Sequence, residues 1–311
     1  MPAIRNGGGA REDRGGQVHD PQALNRRAGR TWRFLQFPLT RIVLSAVALI
    51  GVQLLLGAGL RGLGIRPHSG AGLAAAALVV VAVLATYGAC VRLLEQRAVV
   101  ELGRPRASAL LAGFAIGVLL FAFVMALLMS MGVASVTGDA GGAALPYALA
   151  AALLAAVGEE TLFRGVLFRI IERSLGSGIA LAFTAALFGA LHAFNRGATV
   201  TSSLAIALEA GVLLAAAYMY SRRLWMPIGL HAGWNFTEGG LFGASVSGGQ
   251  AHGVLASHFA GPMGLTGGAF GPEASGVAVL VCLALGVTFI VLAARRGHLV
   301  APYWDAPRPG A

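Results

Sequence analysis

The stretch GEETLFRG, residues 158–165, interrupts an apolar chain. It follows LPYALAAALLAAV (residues 145–157), in which Tyr147 has the only polar side chain. Such a run predicts a membrane-embedded helix, and Glu159, Glu160 and Arg164 stand where that helix should continue. Holding a carboxylate at bilayer depth costs about 3 kcal/mol on insertion scales, so each of these groups must face protein or a wet cavity.

The surrounding composition supports a membrane setting. Of 311 residues, 57% are hydrophobic and 12% charged, with a mean hydropathy of +0.74, against about 25% charged in soluble domains. All 23 basic residues are arginines, giving a net charge of +10. They flank apolar runs rather than collecting on one soluble domain, so the balance points to span-flanking arginines and not to a nucleic-acid partner. Cys90 and Cys282 lie inside apolar segments and define neither a disulfide framework nor a thiolate metal site.

Eight apolar segments are candidate spans: about 38–60, 71–91, 109–132, 145–160, 179–195, 201–220, 224–242 and 276–294. The expected fold is all-α, a polytopic transmembrane bundle of about eight helices. The fourth helix should run on through TLFRGVLFRIIERS and leave the membrane at its polar end. Residues 1–37 read as a disordered, arginine-rich cytoplasmic tail, 38–300 as one helical domain with its motif core at 145–240, and 301–311 as a cytoplasmic tail. Alternating the spans with the amino terminus inside places 20 arginines on the inner side and leaves only Arg61, Arg66 and Arg196 outside. That ratio predicts a multi-pass protein of the plasma (inner) membrane with both termini cytoplasmic. The outer loop of about 243–275 is glycine-rich, lacks arginine, and is expected to be mobile or re-entrant.

The intramembrane polar residues are few: Glu159, Glu160, Arg164, His192, Glu209, His231, Asn235 and Glu238. Glu160 and Arg164, four apart, share a helical face and suit an ion pair. Glu159 points about 100° away and has no local cation. Phe188 and His192 repeat the four-residue spacing, as do His231 and Asn235, which therefore present an imidazole and an amide to one side. Each residue alone has a bland reading, a helix-to-helix hydrogen bond. A carboxylate, two imidazoles and an amide on three helices of an otherwise apolar chain point instead to a shared site.

In order, EETLFR (159–164), FGALH (188–192) and HAGWN (231–235) match the patterns EExxxR, FxxxH and HxxxN. Together they resemble the motifs of the CAAX-protease and bacteriocin-processing family, which includes the type II CAAX prenyl endopeptidases. The resemblance covers about residues 145–240. It implies an intramembrane endopeptidase acting on a membrane-associated peptide or protein substrate, with Glu159, His192, His231 and Asn235 at catalytic positions and Glu160 and Arg164 as the supporting pair.

Chemically, Glu159 suits a general base toward water, His192 can hold that water or protonate the leaving amine, and Asn235 can donate to a tetrahedral oxyanion. The expected mechanism needs no cofactor. The alternative is zinc held by Glu159, His192 and His231, although the chain lacks HExxH. Outside enzymology, an immunity or scaffold protein and a proton-coupled transporter remain as alternatives. At 1.5 Å per residue, Glu159 and His231 come out about 10 Å above the inner edge and His192 about 20 Å. A site in the inner half, reached from the cytoplasm or laterally, is expected.

Overall fold

The computed structural model describes residues 34–104, 106–139, 145–250 and 253–305. The predicted tail is thus outside the described residues up to position 33, as are residues 306–311 of the carboxyl-terminal segment. All eight apolar segments are helical. The long helices are α1 (Pro38–Gly62), α2 (Gly70–Leu94) and α3 (Ala107–Ser130), followed by a 48-residue stretch, Leu145–His192, made of α4 (Leu145–Glu160), a π-helical segment (Thr161–Phe168) and α5 (Arg169–His192). Next come α6 (Val200–Ile206), a π segment (Ala207–Gly211) and α7 (Val212–Ser221), then α8 (Trp225–Asn235) with its π extension (Phe236–Leu241). A short α9 (Met263–Thr266) precedes α10 (Gly276–Arg295). Among the described residues, six helical stretches are long and apolar enough to cross a bilayer. Large apolar side chains such as Leu55, Val81, Leu119 and Leu280 project from them into the surroundings, as lipid-facing residues do. The chain is an integral membrane protein.

The 48-residue stretch is not straight. Gly176 breaks its helical geometry with φ 81° and ψ 166°, a conformation that glycine adopts without steric cost. The rings of Phe163 and Phe188 lie 4.9 Å apart, whereas a straight helix would separate them by about 37 Å. The chain therefore reverses at Gly176, and the fourth and fifth segments form a helical hairpin. Its tip is pinned by Ser177 N–H, which donates to Val300 O (2.9 Å), and by Val300 N–H, which donates to Ser177 Oγ (2.9 Å).

Close backbone packing places α8. Gly113 and Gly117 of α3 face Gly229 and Gly233 of α8, and a Cβ at any of the four would collide with backbone of the opposite helix. These are two GxxxG patterns, the spacing that lets helices approach without side chains between them. The same contact fixes the rotation of α8, and hence the direction in which His231 and Asn235 project.

Connections predicted to share the inner side do meet at one end of the bundle. Gln36 Nε2 donates to Leu94 O (2.8 Å), Trp225 Nε1 to Gly103 O (3.1 Å) and Arg222 Nη1 to Glu172 Oε1 (2.9 Å). Glu95, just past α2, accepts from Arg169 Nη1 at 2.6 Å and from Arg97 Nε at 3.0 Å. Burial acts to raise the Glu95 carboxyl, but these guanidinium contacts outweigh it and hold its pKa below the ordinary value.

At the opposite end, β1 (Ala134–Asp139) pairs antiparallel with β2 (Leu255–Phe259), Ala134 opposite Phe259. The loop expected to be mobile or re-entrant is therefore ordered over its described residues. It also folds back against the bundle, where Asn195 Nδ2 donates to Ser247 O (3.1 Å), and is braced within itself by Gly248 N–H, which donates to Phe270 O (2.7 Å).

Candidate active site

The π segment starts immediately after Glu160 and carries Arg164 inward. Arg164 and Glu160 are both fully buried. Arg164 Nη1 donates to Glu160 Oε1 at 2.9 Å, while Nη2 donates to Ala210 O (3.2 Å) and Gly211 O (3.0 Å). Those carbonyls belong to the π segment of the neighbouring helix, where widened turns leave acceptors available to a side chain. The guanidinium also sits 5.0 Å from the centre of the Phe188 ring, a cation–π contact strengthened by desolvation. The predicted Glu160–Arg164 pair is present and ties three helical segments together.

Glu160 does more than neutralise Arg164. The same Oε1 accepts from His231 Nδ1 at 3.0 Å. A carboxylate only accepts, so Nδ1 of His231 carries the proton and Nε2 keeps its lone pair when the ring is neutral. His192 is fixed in the same tautomer, because its Nδ1 lies 2.8 Å from Phe188 O, another pure acceptor. The FxxxH spacing supplies that carbonyl one turn before the histidine.

Glu159, His192, His231 and Asn235 line one cavity of ≈ 400 Å³, walled by Ala155, Asn195, Arg196 and the loop Val246–Gly249. All four residues named from sequence are thus brought together. Glu159 Oε2 has no hydrogen-bond partner among the described residues. A second, smaller space of ≈ 20 Å³ lies against His192, His231, Asn235, Ser247, Glu209 and Glu273; it is large enough for about one water.

The expected height mismatch disappears because the hairpin turns at Gly176. At 1.5 Å per residue, Glu159 and His192 stand about 25 Å and about 24 Å from that turn along their two arms. Cavity walls formed by Asn195, Arg196 and Val246–Gly249 lie toward the β1–β2 end, not toward the Glu95 end.

Glu273 was not singled out from sequence. It precedes α10, is buried, and its Oε1 accepts Ser247 N–H at 2.7 Å, holding the loop that walls the cavity. Burial pushes its carboxyl above the usual range. One signal was available: it is the one charged residue in the outer loop 243–275. Glu238 is fully buried, with Oε2 accepting Trp234 Nε1 at 3.0 Å. Glu209 is paired with the Cys282 thiol, which donates to it at 3.5 Å.

As placed, no three His, Cys, Asp or Glu side chains among the described residues are grouped as a metal-ligand set.

The helical membrane bundle thus gathers a carboxylate, two oriented imidazoles and an amide around one cavity. Residues 141–237, about a third of the chain, match the family model described as type II CAAX prenyl endopeptidase Rce1-like. The resemblance drawn from the three motifs therefore holds over the segment that carries them, which is similar to that family's model. No curated protein and no solved structure matched the chain.

Proposed function

We propose that the protein is an intramembrane endopeptidase in which Glu159 activates water for attack on a peptide bond. The observation that carries this reading is the convergence of Glu159, His192, His231 and Asn235 on one cavity. Water oxygen attacks the scissile carbonyl while its proton passes to the Glu159 carboxylate. The Asn235 amide donates a hydrogen bond to the developing oxyanion. Nε2 of His192 or of His231, each left as an acceptor by its Nδ1 contact, takes the hydrogen bond from the water's second O–H. The proton taken up by Glu159 is then delivered to the leaving amine nitrogen as the C–N bond breaks.

Glu160 and Arg164 act through His231, fixing its tautomer and ring plane. No step is routed through a metal. The chain is further read as a plasma-membrane protein with both termini cytoplasmic, a reading supported by the 20 to 3 distribution of arginines.

The testing experiment compares cleavage of membrane peptides by the wild-type protein, Glu159→Gln and Asn235→Ala, each shown to be inserted and folded. Loss of a general base is worth about 10²–10⁴-fold in rate, and loss of an oxyanion donor about 10²–10³-fold in kcat. Unchanged cleavage by Glu159→Gln rejects the mechanism. Loss of wild-type activity to a strong chelator, with recovery on adding zinc, rejects its metal-free form.

A further inference from the structure

We infer that the cavity is entered from the non-cytoplasmic face, so that its substrates are peptide segments presented outside the cytoplasm and not cytoplasmic carboxyl-terminal tails. This rests on the proposed protease reading for the word substrate, but the direction of entry rests on independent observations.

The first is a closed floor. Between the site and the end of the bundle that holds Glu95 and Arg169 lie the fully buried Glu160–Arg164 pair and a core in which Tyr87, Phe168, Leu224 and Ile228 are at most 1% exposed. Tyr87 closes this floor further by donating to Gly165 O at 3.2 Å.

The second is a continuous opening on the other side. The site cavity shares Ala155, Asn235, Val246 and Gly249 with a neighbouring cavity of ≈ 590 Å³. That cavity runs past Ala151 and Ala148 to Tyr147 and His68, the last in the α1–α2 connection. From Glu159 to Tyr147 is about 18 Å along α4. His68 and Tyr147 also line a third cavity of ≈ 400 Å³, together with Arg61 and Pro67. The passage therefore leads from the site to the end of the bundle opposite Glu95. Alanine and glycine along one wall leave room for a polypeptide segment to lie against α4.

The third observation fixes which face this is. Among the described residues, the arginines at the open end are Arg61, Arg66 and Arg196, whereas eleven others, from Arg41 to Arg296, lie at the closed end, and Arg164 is buried in the site. Lys and Arg in short loops are retained on the cytoplasmic side during insertion. Turning the protein over to admit a cytoplasmic tail would place those eleven arginines outside.

The test uses the full-length chain with Cys90→Ala and Cys282→Ala, carrying one introduced cysteine at a time: Arg196→Cys or Gln250→Cys, both exposed at the mouth, and Arg295→Cys at the opposite end. Cells are treated with a membrane-impermeant maleimide before or after permeabilisation. The expected result is labelling of the Arg196→Cys and Gln250→Cys proteins in intact cells to the same extent as in permeabilised cells, and of Arg295→Cys only after permeabilisation. The reverse pattern overturns the inference. Because labelling needs no proteolysis, failure of the protease reading in Glu159→Gln assays leaves this result standing, and the two outcomes are separable.

Discussion

Nδ1 of His231 lies 3.0 Å from Glu160 Oε1, the same oxygen that Arg164 Nη1 approaches at 2.9 Å. One buried carboxylate oxygen thus serves a structural cation and a site imidazole. Glu160→Gln keeps the shape but leaves a buried guanidinium without its counter-charge, a loss of about 3–5 kcal/mol. Thermal unfolding in detergent should fall accordingly, and activity with it. The double variant Glu160→Leu with Arg164→Met removes both charges and should recover most of the stability but not the activity. Equal recovery of both contradicts a positioning role for Glu160.

Packing of α3 against α8 should be intolerant of any side chain. Gly233→Leu forces a bulky group between backbones that already touch, and overpacking of this kind costs about 1–3 kcal/mol or more. The expected readout is reduced folded yield and loss of the His231 and Asn235 placement. Gly59→Leu, on α1 with open space around it, should leave both unchanged.

The Glu95 contacts predict acid sensitivity. The folded-state pKa of Glu95 is lowered from its ordinary value, so the unfolded chain binds the proton more tightly. This contribution is present above the unfolded carboxylate pKa, about 4.3, and is lost as pH falls through the folded value. Unfolding midpoints of the wild-type protein measured from pH 6 downward should drop in that window. In Glu95→Gln the midpoint should start lower and the drop should shrink. An identical pH profile in the variant counts against the assignment.

Glu273 holds Ser247 N–H and with it the cavity wall. Glu273→Ala should raise KM for peptide cleavage about 10-fold or more while the protein stays folded, since the loss falls on the loop and not on the groups that meet the scissile bond. A fall in kcat at unchanged KM points instead to direct participation in the chemistry.

Much of the site was legible because polarity inside a membrane is costly. Glu159, Glu160, Arg164, His192, His231 and Asn235 stood out against apolar neighbours, and helical spacing alone paired Glu160 with Arg164. The apolar segments were equally plain. What sequence could not convey depends on long-range geometry. Nothing local announces that Thr161–Phe168, Ala207–Gly211 and Phe236–Leu241 widen into π turns, or that Gly176, one glycine among 45, reverses the chain. The depth estimate placed the turn too early, which separated His192 from Glu159. The wall formed by Val246–Gly249 was hidden because a glycine-rich loop has no periodicity to read, and Glu273 is brought to it from 26 residues away.

The most direct test is a comparison of the amino- and carboxyl-terminal peptides of membrane and secreted proteins in cells carrying the wild-type chain or Glu159→Gln at equal abundance. The account predicts a defined set of new termini that vanish in the variant, with the uncut precursors accumulating in their place. Identical termini in the two cell lines would contradict it.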